Sequence, residues 1–139
     1  MEINIWVILV AGLIQFILGA IWYMPIFGNL WGKIHNYNPS SKEEHDKAMK
    51  SMMPLLGVQF LLNLLTAFVF VLLLNGFPKE WNVYGLAFFF WLGFSLPVQI
   101  SGVVFGGTEP KWVVKKILIS AGGSLISLLA IAFTVCLFK

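Results

Sequence analysis

The hydrophobic positions of this chain fall in long blocks. Four stretches contain no Asp, Glu, Lys or Arg: Ile3–Gly32, Ser51–Pro78, Trp81–Thr108 and Ile117–Phe138. An α-helix rises about 1.5 Å per residue, so roughly 20 residues cross a hydrocarbon core about 30 Å thick. Each block is long enough for one crossing and too short for two. The pattern predicts four membrane spans, at about residues 3–24, 54–75, 81–105 and 112–138. The expected fold is all-α: an integral membrane four-helix bundle, residues 1–139 as a single domain.

The breaks between blocks carry turn chemistry. Pro25 disfavours helical angles at Met24 and is expected to end span one. Trp22, Tyr23 and Trp31 suit an interfacial anchor, where an apolar ring with a polar edge is favoured. Residues 33–50 form the one strongly polar stretch. Asn36-Tyr37-Asn38-Pro39 reads as a turn. Ser40 with Glu43 and Ser41 with Glu44 form two overlapping capping boxes. They predict a short cytoplasmic interfacial helix between spans one and two, reaching about Met53, with Pro54 opening the next helix. Pro97 is expected to kink span three by removing a backbone hydrogen bond. Gly12-Leu13, Leu18-Gly19 and Pro25 are loosely matched by Gly85-Leu86, Leu92-Gly93 and Pro97. Two spans per half would make this a parallel repeat.

Composition agrees with the membrane reading. Hydrophobic residues make up 59% of the 139 and charged residues 11%, against about 25% charged in soluble domains. All nine basic residues are Lys. Arg is the usual fork for phosphate and guanine edges, so nucleic-acid binding is not expected. Seven lysines (Lys33, Lys42, Lys47, Lys50, Lys111, Lys115 and Lys116) lie in the first and third connections. Lys79 and Lys139 lie on the other side. The positive-inside rule then puts both termini outside and the lysine-rich connections in the cytoplasm. The N-terminus lacks the basic region of a secretory signal, so span one is expected in the mature protein.

Candidate chemistry is sparse. With Lys115 and Lys116 in an interfacial turn at the start of span four, no Asp, Glu, Lys or His falls within an expected hydrocarbon segment, which speaks against proton-coupled transport and acid–base catalysis there. The neutral polar residues are Gln15 in span one, Gln59, Asn63 and Thr66 on one face of span two, and Gln99 after Pro97. One reading is a polar pocket or pore at which Gln15, Asn63 and Gln99 converge. The other is helix packing, in which amides bond across helices. Gly19 and the span-four stripe of Ser120, Gly123, Ser124 and Ser127 suit close helix contact. His35 and His45 with Glu43, Glu44 and Asp46 have no recognised ligand spacing, so no metal and no cofactor is expected. Cys136 reads as a small apolar residue. No nucleophile motif, phosphate loop or paired carboxylate is visible, and an enzyme is not expected.

Leu18-Gly19-Ala20-Ile21-Trp22-Tyr23-Met24-Pro25, followed by Phe27-Gly28 and Trp31, resembles the first-span signature of the family called domain of unknown function 1761. The likeness continues at Leu62–Phe68, at Trp91-Leu92-Gly93-Phe94 with Pro97, and from Ile119-Ser120-Ala121-Gly122 onward. The resemblance implies a small four-span protein of the bacterial plasma membrane. It brings no activity, substrate or catalytic residue. Two functional classes lead: a homo-oligomeric, transport-like or channel-like protein with a neutral polar path, and an accessory or structural protein packing against a partner. The lipid bilayer is the one partner the composition itself implies. Orientation is testable: alkaline phosphatase fused after Lys139 is expected to be active and a cytoplasm-dependent fluorescent reporter dark, and the reverse pattern would overturn the lysine count.

Overall fold

The computed structural model describes residues 3–139. The described residues contain no strand. Helix α1 is Ile5–Ile21, extended by a π-helical turn over Trp22–Ile26. A short helix α2, Gly28–Ile34, follows. Helix α3 runs Lys42–Gly76. The third span is built from α4 (Val83–Phe90), a second π-helical turn (Trp91–Ser95) and α5 (Leu96–Phe105). A 3-10 turn, Pro110–Trp112, leads into α6, Val113–Leu137. Four segments are long and apolar enough to cross a membrane: Ile5–Ile26, Lys42–Gly76, Val83–Phe105 and Pro110–Leu137.

Both spans that begin next to the termini side open on an asparagine cap. The Asn4 side chain accepts from the Trp6 N–H at 3.0 Å. Asn82 accepts from Tyr84 and Gly85 at 2.9 and 3.1 Å. These bonds satisfy amides that a helix start leaves unpaired.

The prolines act differently from the sequence expectation. Pro25 does not end the first span at Met24. It lies inside the π-turn, and the helical path continues to Phe27, whose N–H donates to Trp22 O at 3.1 Å. Proline has no N–H to give the carbonyl four residues back, and the wider turn accommodates its ring. The irregularity near Pro97 likewise sits just before it, at Trp91–Ser95, and Pro97 itself falls in the first turn of α5.

The separate interfacial helix over residues 41–53 is not formed. Those residues are the first part of α3, which continues through Pro54 for 35 residues. The carbonyl left free is that of Lys50, in the exposed part of the helix, where water can satisfy it. At about 1.5 Å per residue α3 is roughly 52 Å long, well beyond a 30 Å core. The short helix between the first two spans is instead α2. Of the two capping boxes, half of one forms: Ser41 Oγ accepts from Glu44 N–H at 3.2 Å. The Glu44 carboxylate accepts from Ser40 N–H and Ser40 Oγ at 2.9 and 2.7 Å, so Glu43 has no part in it.

Helix α1 packs against α3 and α6, and α6 also packs against α4 and α5. The core lies toward the termini. It joins Val7, Ile8 and Ala11 of α1, Ala67, Phe70 and Val71 of α3, Val83 and Ala87 of α4, and Leu128, Ile131 and Ala132 of α6. Ala11, Ala67, Ala87 and Ala132 are each 0% exposed, one from every span. Small residues let the backbones approach, as membrane helices require when hydrophobicity alone gives no drive to associate. The tightest glycine on α1 is Gly12, where a Cβ would run into the Leu64 side chain. Gly19, expected to make that contact, has nothing within 4 Å of its would-be Cβ among the described residues. Gly12→Leu is therefore expected to destabilise the fold by about 1–3 kcal/mol through overpacking. Gly19→Leu should stay within about 0.5 kcal/mol. Unfolding in mixed detergent micelles compares the two, and equal losses would refute this assignment of the α1–α3 contact.

Candidate functional site

Two polar arrangements lie within the spans. The first joins α1, α3 and α6. Gln15 is 2% exposed and Asn63 8% exposed. Gln15 Nε2 donates to Ala11 O and to Asn63 O, both at 3.2 Å. Gln15 Oε1 accepts from Ser127 Oγ at 2.7 Å. Gln59 Nε2 donates to Asn63 Oδ1 at 2.9 Å. Both amide hydrogens of Gln15 and its oxygen are thereby used, which is how a buried carboxamide is tolerated in a low-dielectric interior. The node is neutral and contains no group that titrates near neutrality, so it offers no proton donor or base.

The other proposed members of a polar site lie elsewhere. Thr66 is exposed on α3, and its hydroxyl donates back to Leu62 O at 2.8 Å. Gln99 is partly buried on α5 and makes no hydrogen bond to Gln15, Asn63 or Gln59. The convergence of Gln15, Asn63 and Gln99 on one pocket is thus not formed. Gln99 belongs to α5, which packs on α6, whereas the node is built on the α1–α3 contact.

The second arrangement is a pair of tryptophan indoles on α6. Each begins a π-turn, and each donates to an α6 carbonyl. Trp22 Nε1 donates to Ile119 O at 2.9 Å. Trp91 Nε1 donates to Ala121 O at 2.9 Å and to Ser124 Oγ at 3.0 Å, while Ser124 Oγ donates to Ala121 O at 3.0 Å. A carbonyl oxygen has two lone pairs, so it can take an indole N–H beside its helical bond. The Trp22 ring lies against Gly122 and Gly123. A Cβ on Gly122 would sit 2.7 Å from Trp22 Cζ2, and one on Gly123 2.9 Å from the Tyr23 hydroxyl oxygen. These two glycines make the seat for both aromatic rings.

The aromatic anchor accordingly turns inward. Trp22 meets Phe27 with the rings tilted and centroids 4.6 Å apart, and Tyr23 meets Trp31 edge-on at 4.9 Å. Lys116 Nζ lies 6.0 Å from the Trp31 ring centroid, tying the start of α6 to α2. Pro25 is exposed, and Ser120 is partly buried on the same stretch of α6. Sequence reasoning singled out Gly123, Ser124 and Ser127 as a packing stripe but passed over Trp91 as a site residue. Its signal was present: an indole in mid-span must find an acceptor, because hydrocarbon supplies none. Among the described residues no three His, Cys, Asp or Glu side chains are grouped to hold a metal ion.

These helices, with polar groups satisfied across them, define a small four-span helical membrane protein. It belongs to the family described as protein of unknown function DUF1761, which matches residues 6–136. No curated protein and no solved structure matches the chain.

The polar node makes a direct prediction. Gln15→Leu removes three bonds and leaves Ser127 Oγ without its acceptor, so a loss of about 1–2 kcal/mol is expected at roughly 1 kcal/mol per membrane hydrogen bond with partial compensation. Gln99→Leu is expected to change stability by less than about 0.5 kcal/mol. Detergent unfolding followed by circular dichroism compares them, and a Gln99→Leu loss as large as that of Gln15→Leu would contradict the site.

Proposed function

We propose that this protein is a non-catalytic accessory or structural component of a bacterial plasma membrane, with both termini outside. In this reading it acts by packing against a partner in the bilayer. One observation carries the reading: Gln15 of the first span is fully engaged by the Asn63 backbone carbonyl of the second and the Ser127 hydroxyl of the fourth. Gln15 and Asn63 are almost fully buried and hydrogen-bonded. A transport path would instead need neutral polar groups lining a cavity open to water.

The same logic relocates self-association. Ser124 and Ser127 are bonded to Trp91 and Gln15, and Gly122 and Gly123 are covered by Trp22 and Tyr23. The α6 stripe is occupied within one chain. Copies, or a partner, would meet the outward apolar faces, such as the α5 face bearing Val98 and Phe105. The seven-to-two lysine distribution supports the orientation.

Reconstitution in liposomes tests the choice between packing and transport. Protein-containing vesicles loaded with potassium chloride are expected to leak no faster than empty ones, with and without Asn63→Leu. A flux present in the wild type and abolished by Asn63→Leu, with normal folding, would overturn the proposal in favour of a polar path.

A further inference from the structure

Helix α3 and the third span meet at one end through aromatic rings. Phe90 lies 5.9 Å from Phe70 and 5.9 Å from Phe77, and Phe77 lies 5.3 Å from Trp81, centroid to centroid. Beside these contacts the two spans enclose a cleft of about 470 Å³. Leu65, Val69 and Leu73 of α3 form one wall, Phe94 the other, and Leu128 of α6 the floor. The hydroxyls of Thr66 and Ser95 contribute the polar part of the lining. That of Thr66 is already engaged with Leu62 O at 2.8 Å.

We propose that this cleft binds a single hydrocarbon chain of a membrane lipid. Its depth is the first argument. Phe94 falls at the middle of the span Val83–Phe105, so the cleft lies at hydrocarbon level and opens sideways into it. Its size is the second. At about 470 Å³ it falls within the roughly 300–1,000 Å³ usual for sites that hold one small ligand. The lining chemistry is the third: aliphatic and aromatic side chains with no charged group.

The physics also sets the kind of selectivity. Between one apolar environment and another there is no hydrophobic gain, so retention rests on dispersion contacts with a shaped wall. Binding should then follow the chain and ignore the headgroup.

Native mass spectrometry of the full chain tests this, with dioleoyl phosphatidylglycerol and dioleoyl phosphatidylcholine as probes. Val69→Trp fills the cleft. Leu61→Trp adds the same bulk on α3 at a position 64% exposed and outside the lining. Wild type and Leu61→Trp are expected to retain one lipid per chain, of either headgroup. Val69→Trp should retain about tenfold less, equivalent to about 1.4 kcal/mol. Phe94→Ala, which removes a wall without adding bulk, should show the same direction of change and covers the case in which Val69→Trp misfolds. Undiminished retention in both cleft variants would overturn the proposal, as would retention that depends on headgroup. A dimer mass lost only in Val69→Trp would assign the cleft to a second copy and would likewise overturn it.

Discussion

Trp22 and Trp91 come from different spans and end on α6 carbonyls two residues apart. That convergence follows from a constraint peculiar to hydrocarbon: a polar hydrogen without an acceptor has no water to turn to. Each indole must be paid for by a neighbouring helix, and α6 supplies both acceptors. It also supplies Ser127 to Gln15 and the Gly122–Gly123 seat for the first-span aromatics. Helix α6 is thus the spine to which spans one and three are tied by hydrogen bonds. Span two is tied at one remove, through the Gln15 amide donating to Asn63 O.

The two indoles stand at the first residue of each π-turn. Widening a helix by one residue changes the direction in which the following side chains leave it, and such bulges recur at functional positions. Proline lies in the first of these turns and just beyond the second. In each case the missing N–H is accommodated where the helix is already irregular. The backbone defect and the tryptophan thus occur together in both spans. The loose sequence match between the halves has only this partial counterpart in the structure: asparagine caps and Trp-led π-turns occur in both, but Trp22 closes its span and Trp91 lies within its own.

How much of this was legible follows from the range of each interaction. The four spans were readable because a charge-free block of about 20 residues has few alternatives in a bilayer environment. The serine stripe of α6 was readable as a packing face because small residues at helical spacing have a purely local signature. The partners were not. Whether Ser127 meets Gln15 depends on the rotation of two helices separated by 112 positions in the chain. Gln99 lies outside the node for the same reason in reverse, since no local pattern reports which helix α5 packs on. The fusion of the polar segment with span two was hidden by Pro54, a residue that more often marks a boundary than an interior.

The unbroken length of α3 has a structural consequence. Its charged first turns stand clear of the bilayer-crossing part, yet no loop separates them from Asn63 or from the Leu64 side chain against Gly12. The helix is continuous, and its weakest turn is the one where Pro54 leaves the Lys50 carbonyl without a helical bond. The charged end of α3 and the Gln15–Asn63 contact are thus joined through a single helix with no loop between them, so the aqueous and buried parts of the second span form one structural unit.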